Sequence, residues 1–146
     1  MTAIAVRRLT QDDMDAAAHI LRAALDDRLP WLAGRHTPEE DRNFLHRIVS
    51  LLWGAGGPTL SGFVALRDGW IDQLHVLPGH QRRGIGTALP ARAKVTAPAL
   101  RLWSFQRNHA ARAFYESHGF ACVEDTDGTR NEEREPDALY LWEATP

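Results

Sequence analysis

The chain has 146 residues, 44% hydrophobic and 25% charged, with a formal net charge of −2. That size suits one domain, residues 1–146, with its own core, and the composition excludes collagen-like, coiled-coil and disordered classes. No apolar run nears the ~20 residues of a membrane span, residues 1–8 lack a secretory apolar segment, and the lone Cys122 excludes an internal disulfide, so a cytoplasmic protein without membrane association is expected.

The elements follow in chain order. Ile4–Arg8 reads as a short strand. Thr10 and Asp13 open a helix to about Asp27 with Ile20, Leu21, Ala24 and Leu25 on its apolar face. In "TPEE", Thr37 caps a second helix, Pro38 takes its first position and Glu40 reaches back. It ends near Arg47, where the β-favouring "IVSLLW" begins. "GAGGP" reads as a turn before a strand over Leu60–Leu66, and "RDG" at 67–69 as a hairpin returning through Trp70–Leu77. A glycine stretch then leads into a helix to about Thr96. Leu100–Phe105 reads as a strand apolar on both faces except at Arg101 and Ser104. Asn108 caps a helix that Gly119 ends, and Phe120–Glu124 and Leu139–Trp142 are the last strands. The order βααβββαβαββ predicts an α/β fold built on a mixed sheet, a βαβ unit joined to an antiparallel meander.

Charge is unevenly placed. Gln73 to Tyr115 holds no Asp or Glu but includes Arg82, Arg83, Arg92, Lys94, Arg101, Arg107 and Arg112, which suits an anionic ligand. Glu124 to Asp137 holds seven acids against two arginines, which suits a cationic one.

The stretch "HVLPGHQRRGIGTAL", residues 75–89, decides which anion. A dinucleotide fingerprint requires a third glycine where Leu89 stands, and a P-loop requires a lysine that is missing. A turn whose backbone N–H groups and helix N-terminus wrap a pyrophosphate remains, with Gly84 and Gly86 removing Cβ atoms from the approach. The pattern Leu74, Val76, Pro78, Gln81, Gly84, Gly86 resembles the acetyl-CoA signature of the GNAT acyltransferase superfamily. "LWSFQRNHAARAFYESHGF", residues 102–120, resembles that family's second signature.

The resemblance implies the following. The strands ending at Val76 and Phe105 splay apart, and the pantetheine arm of acetyl-CoA lies between them against the backbones of Leu74, His75 and Val76. The Val76 N–H faces the thioester carbonyl. Gln81 belongs to the signature, and the N–H groups of Arg82, Arg83, Gly84, Ile85, Gly86 and Thr87 hold the pyrophosphate. Asn108 serves as helix cap, as pantetheine contact, or as both. Ala111 and Tyr115 share its helical face, Tyr115 is the general acid for the leaving thiolate, and Phe114 points to the core. The reaction is direct acetyl transfer to a primary amine, on a small molecule or a protein, with no acyl-enzyme and no metal.

The base stays open between Asp72, placed by alternation with Leu74 and Val76, and His75 on the opposite face, with Glu133 or Glu135 as entrants from the acidic loop. Trp31, His36, Glu133 and Glu135 are the candidate acceptor residues. Cys122 reads as core, and Pro90 as a kink in its helix. A CoA-binding sensor or interaction module is the alternative. Nucleic acid is not expected with negative net charge, and a homodimer stays open.

Overall fold

A computed structural model describes residues 4–56, 58–80 and 84–145. The elements are β1 (Val6–Arg8), α1 (Met14–Arg28), α2 (Pro38–Arg47), β2 (Leu52–Gly56), β3 (Leu60–Arg67), β4 (Trp70–Val76), α3 (Ile85–Lys94), β5 (Ala99–Phe105), α4 (His109–Ser117), β6 (Ala121–Asp125) and β7 (Asp137–Glu143). This is the order the sequence predicts. Local chemistry sets the helix starts: the Asp13 carboxylate accepts from the Thr10 N–H at 2.8 Å, and Thr37 and Glu40 cap each other at 2.9 and 3.1 Å.

The seven strands form one sheet in the order β1-β2-β3-β4-β5-β7-β6, antiparallel except where β4 meets β5. Each face carries a core. On one, Val64, Leu100, Leu102 and Tyr140 pack with Ile85 and Leu89 of α3 and Tyr115 of α4. On the other, Phe63 and Ala65 pack with Met14, Ile20 and Leu21 of α1 and Leu45 of α2. Burying each of these side chains stabilises the fold by roughly 1.5–3 kcal/mol.

Several expectations need correction. "GAGGP" is not simply a turn, because Gly54, Ala55 and Gly56 continue β2 opposite Phe63, Gly62 and Leu60. A Cβ on Gly54 would lie 2.5 Å from side-chain carbons of both Leu9 and Leu60, so glycine is there for close packing. That strand starts only at Leu52, since residues 49–51 form one 3₁₀ turn. β5 is one-sided: Leu100, Leu102 and Ser104 are buried while Arg101 and Trp103 are exposed. Cys122 lies on exposed edge strand β6, not in the core. Helix α3 carries Pro90 buried inside it, where the ring withholds one N–H from the ladder, and ends at Lys94, short of the expected Thr96.

The last concerns β4. Ala65 pairs with Gln73 and Leu66 with Ile71, which leaves Asp72 as the extra residue of a bulge. Period-two alternation therefore breaks at Asp72. Ile71, not Asp72, joins Leu74 and Val76 in the core beneath α3.

Candidate active site

Strands β4 and β5 share register at Trp70 and Arg101 alone, at their N-terminal ends. Beyond that pair they part, and a cleft of about 880 Å³ opens between them. One wall is β4 from Ile71 to Val76, and the other is β5 from Leu102 to Phe105. Since β5 buries Leu102 and Ser104 on one face and exposes Trp103 on the other, the cleft passes through the thickness of the sheet. Its first mouth is bordered by Gly84, Gly86 and Thr87 at the start of α3 and by Asn108, Ala111 and Tyr115 of α4. Ala24 and Leu25 of α1 and Leu29 just after it border the second, with Glu133 from the β6–β7 loop.

The two glycines at the first mouth serve different needs. Gly84 sits at φ 83°, a left-handed conformation that starts α3. Gly86 has ordinary backbone, but a Cβ there would come within 3.2 Å of the Phe114 ring. Phe114 packs against the core, as expected, and also lines the cleft. The Ile85 side chain is buried in the core. Gln81, Arg82 and Arg83 lie outside the described residues.

Along β4, Leu77 donates to the carbonyl of Ser61 at 2.9 Å. Strand alternation then turns the N–H of Val76 away from β3, toward the gap. Leu74 lines the same gap. His75 packs on the opposite face against the Phe63 ring, centroids 5.5 Å apart, with its Nε2 2.8 Å from Gln73 Oε1. Burial, then the positive charge of Arg22, hold its pKa down to about 4. Asp72 is tied by a bidentate ion pair, 2.7 and 3.0 Å, to Arg67.

Asn108 accepts from the Ala111 N–H at 3.2 Å, capping α4. One α4 face also brings Tyr115 to the cleft, wedged by the rings of Phe114, Phe120 and Tyr140 at centroid distances of 5.4, 5.8 and 6.3 Å. Of the two tyrosines, Tyr140 is engaged by Arg112 at 2.8 Å and by Glu116 at 3.2 Å. The Tyr115 hydroxyl makes no hydrogen bond to a described residue. Burial pushes its pKa up to about 12.

The acidic loop is ordered by its own contacts. The Asn131 amide spans it, donating to the Glu135 carbonyl at 2.7 Å and to Asp137 at 3.2 Å. Glu135 is buried, accepting from Trp31 Nε1 at 3.1 Å and from Arg107 at 3.4 Å. The Arg107 guanidinium also stacks 3.8 Å over the Trp31 ring. Trp31 and Glu135 therefore brace the loop and do not line the cleft. His36 sits between Glu40 and Glu132, at 3.8 and 3.9 Å, also off the cleft wall. Glu133 is the candidate acceptor residue on that wall. Sequence reasoning missed Arg28, Gln73 and Trp103 as lining residues. The exposed parity of β5 was a signal for Trp103. Among the described residues no group of three or more His, Cys, Asp or Glu is arranged to hold a metal, and no helix is long and apolar enough to cross a membrane.

Solved structures share this fold. YjaB of Escherichia coli superposes with a TM-score of 0.82 over 99% of this chain and 100% of its own, at 20% identity. The PaiA N-acetyltransferase of Thermoplasma acidophilum, solved with coenzyme A, gives 0.74 over 97% and 99% at 21% identity. The fold is thus that of the GCN5-type acyltransferases. The sequence of residues 48–122 matches the family model described as an acetyltransferase (GNAT) domain, and the chain belongs to that family. A peptidyl-lysine N-acetyltransferase, YiaC of Escherichia coli K12, is 34% identical over 82 residues, a match spanning 56% of this chain and 56% of YiaC.

Proposed function

We propose that this protein transfers an acetyl group from acetyl-CoA to a primary amine by direct attack within a ternary complex. Membership of the acetyltransferase family and the CoA-bound state of PaiA support the donor. The cleft fits it: separated strands leave backbone groups for an extended arm, and the Gly84–Gly86 turn keeps Cβ atoms clear of an approaching pyrophosphate. Bound there, acetyl-CoA supplies a thioester carbonyl open to a neutral amine.

The chain's own groups then have distinct tasks. The Val76 N–H, turned toward the gap, stabilises negative charge developing on the carbonyl oxygen, a donor worth about 10²–10³ in rate. Tyr115 delivers a proton to the departing thiolate. The observation that carries this reading is the phenol itself, on the cleft wall, uncommitted to any described residue and kept protonated by burial. Asn108 both caps α4 and contacts the arm. His75 is neutral at pH 7 and a weak base, and Asp72 is ion-paired with Arg67, so the amine proton leaves by way of Glu133, the carboxylate on the cleft wall unpaired among the described residues, and water past the second mouth.

The test is release of free CoA with a panel of primary amines, with acetylated product detected by mass. Amine-dependent release at a stoichiometry of one product per CoA supports the reading. Tight acetyl-CoA binding with no turnover across the panel would instead make the protein a CoA-binding sensor.

A further inference from the structure

Two carboxylates line the cleft, and they are not equivalent. Asp72 is neutralised by Arg67 at 2.7 Å. Glu133 is half-buried, and its carboxylate has no ion pair or hydrogen bond to any described residue. The surrounding chain holds that carboxylate at the cleft. Arg134 takes a left-handed φ of 54° immediately after it. Glu135 is pinned by Trp31 and Arg107, and Asn131 clamps both ends of the segment. Trp31 belongs to the α1–α2 connection, 104 residues from Glu135 in sequence. This latch is what fixes the loop over the second mouth, so that Glu133 faces the cleft.

The rest of that mouth defines what accompanies the charge. Leu25 of α1, Leu29 just after it and Trp103 of β5 present apolar surface, with Trp103 47% exposed. At the rim, Arg28 is loosely matched to Asp27 at 3.7 Å and carries a positive charge toward anything longer. We infer that the acceptor is an amine carrying one positive charge on an apolar or aromatic stem. Its ammonium pairs with Glu133, its stem lies on Trp103, and a second cationic group is repelled at Arg28. The Trp31–Glu135–Arg107 latch is the positioning device for that contact. This inference rests on the acetyltransferase reading for its consequence in turnover, but the binding contact stands independently of it.

The experiment is calorimetric titration of amines into the CoA-saturated protein, alongside the turnover assay. The probes are phenethylamine, Nα-acetyl-lysine methylamide and spermidine. The wild-type protein binds the first two more tightly than spermidine. Glu133→Gln weakens both by about tenfold or more, as expected for a charge-assisted contact. Trp103→Ala weakens phenethylamine by a similar factor, and neither variant changes CoA affinity. Glu135→Gln keeps CoA affinity but loses amine affinity, whereas Glu132→Gln, at an exposed position, changes neither. Absence of amine binding to wild-type protein, equal affinity for spermidine, or unchanged affinity in Glu133→Gln each overturns the inference. Amine binding that follows these rules without any CoA release overturns the acetyltransferase reading and leaves the contact intact.

Discussion

Trp70 and Arg101 are the point from which β4 and β5 diverge. Arg101 donates its N–H to the carbonyl of Gly69 at 2.9 Å, and the parallel pairing goes no further than Trp70 opposite Arg101. Beyond it β4 pairs with β3 and β5 with β7, each on its outer side. An open seam inside a sheet leaves room for an extended ligand to lie along the strands. The seam runs between two helix termini and ends at the strands' carboxyl ends, where open α/β sheets receive ligands.

Replacing Tyr115 by phenylalanine removes one hydroxyl from a ring wedged among Phe114, Phe120 and Tyr140 and leaves the packing intact. The expected loss in turnover is about 10²–10⁴, with acetyl-CoA affinity unchanged. Burial raises the pKa of this phenol from 10 to about 12, so it stays protonated throughout pH 7–10. The wild-type rate accordingly shows no alkaline fall assignable to Tyr115 below pH 10. A rate in the phenylalanine variant equal to wild type at every pH removes Tyr115 from the chemistry.

Gly84→Ala and Gly86→Ala separate backbone strain from crowding. At Gly84 the left-handed φ of 83° costs an alanine about 1–2 kcal/mol, read as a fall in melting temperature of a few degrees. At Gly86 the backbone is unstrained, but the new Cβ pushes on Phe114 at 3.2 Å and narrows the first mouth. There the melting temperature changes little while the KM for acetyl-CoA rises. Equal effects of both substitutions on both quantities would contradict this division.

Much of the fold is legible because its determinants are local. Thr37-Pro38 with Glu40, and Asn108 before its helix, are caps written within four residues, and Leu74, Val76 and Gly84 lie in one short pattern. The site is less legible where geometry depends on distant chain or on irregularity. Alternation assigns Asp72 to the face of Leu74, and only the bulge opposite Ala65 and Leu66 reveals that Ile71 belongs there instead. Glu135 reads as a candidate base and acceptor residue, and only the Trp31 N–H that closes on it from the other end of the chain shows it bracing the loop. Trp103 reads as interior in an apolar strand, and becomes a cleft residue because no helix covers β5 on that face.

His75 makes the protein acid-labile. Its pKa falls from 6.5 to about 4 on folding, so the unfolded state takes up a proton that the folded state refuses. The stability involved is complete above pH 6.5 and drains away as the pH falls through about 4. Below 3.8, Asp13, held near 2 chiefly by its hydrogen bond to Arg7, adds a second loss. Urea midpoints at pH 7.5 and pH 5 measure the first effect. The difference between them is larger for wild type than for His75→Gln, whatever the absolute stability of the variant, and an unchanged difference rules out His75 as its source.

Asn108→Ala tests whether a cap is also a ligand contact. The side chain accepts from Ala111 at 3.2 Å, and losing an N-cap of this kind costs about 1 kcal/mol. Asn108→Asp and Asn108→Ser retain a cap oxygen, so both hold the melting temperature near wild type. They differ at the cleft: neither offers the amide N–H₂ that a carbonyl of the pantetheine arm would accept from. The proposed dual role therefore predicts that all three variants raise the KM for acetyl-CoA, while only alanine lowers the melting temperature. If aspartate and serine restore the KM together with stability, the amide serves the helix alone and the arm is held by β4.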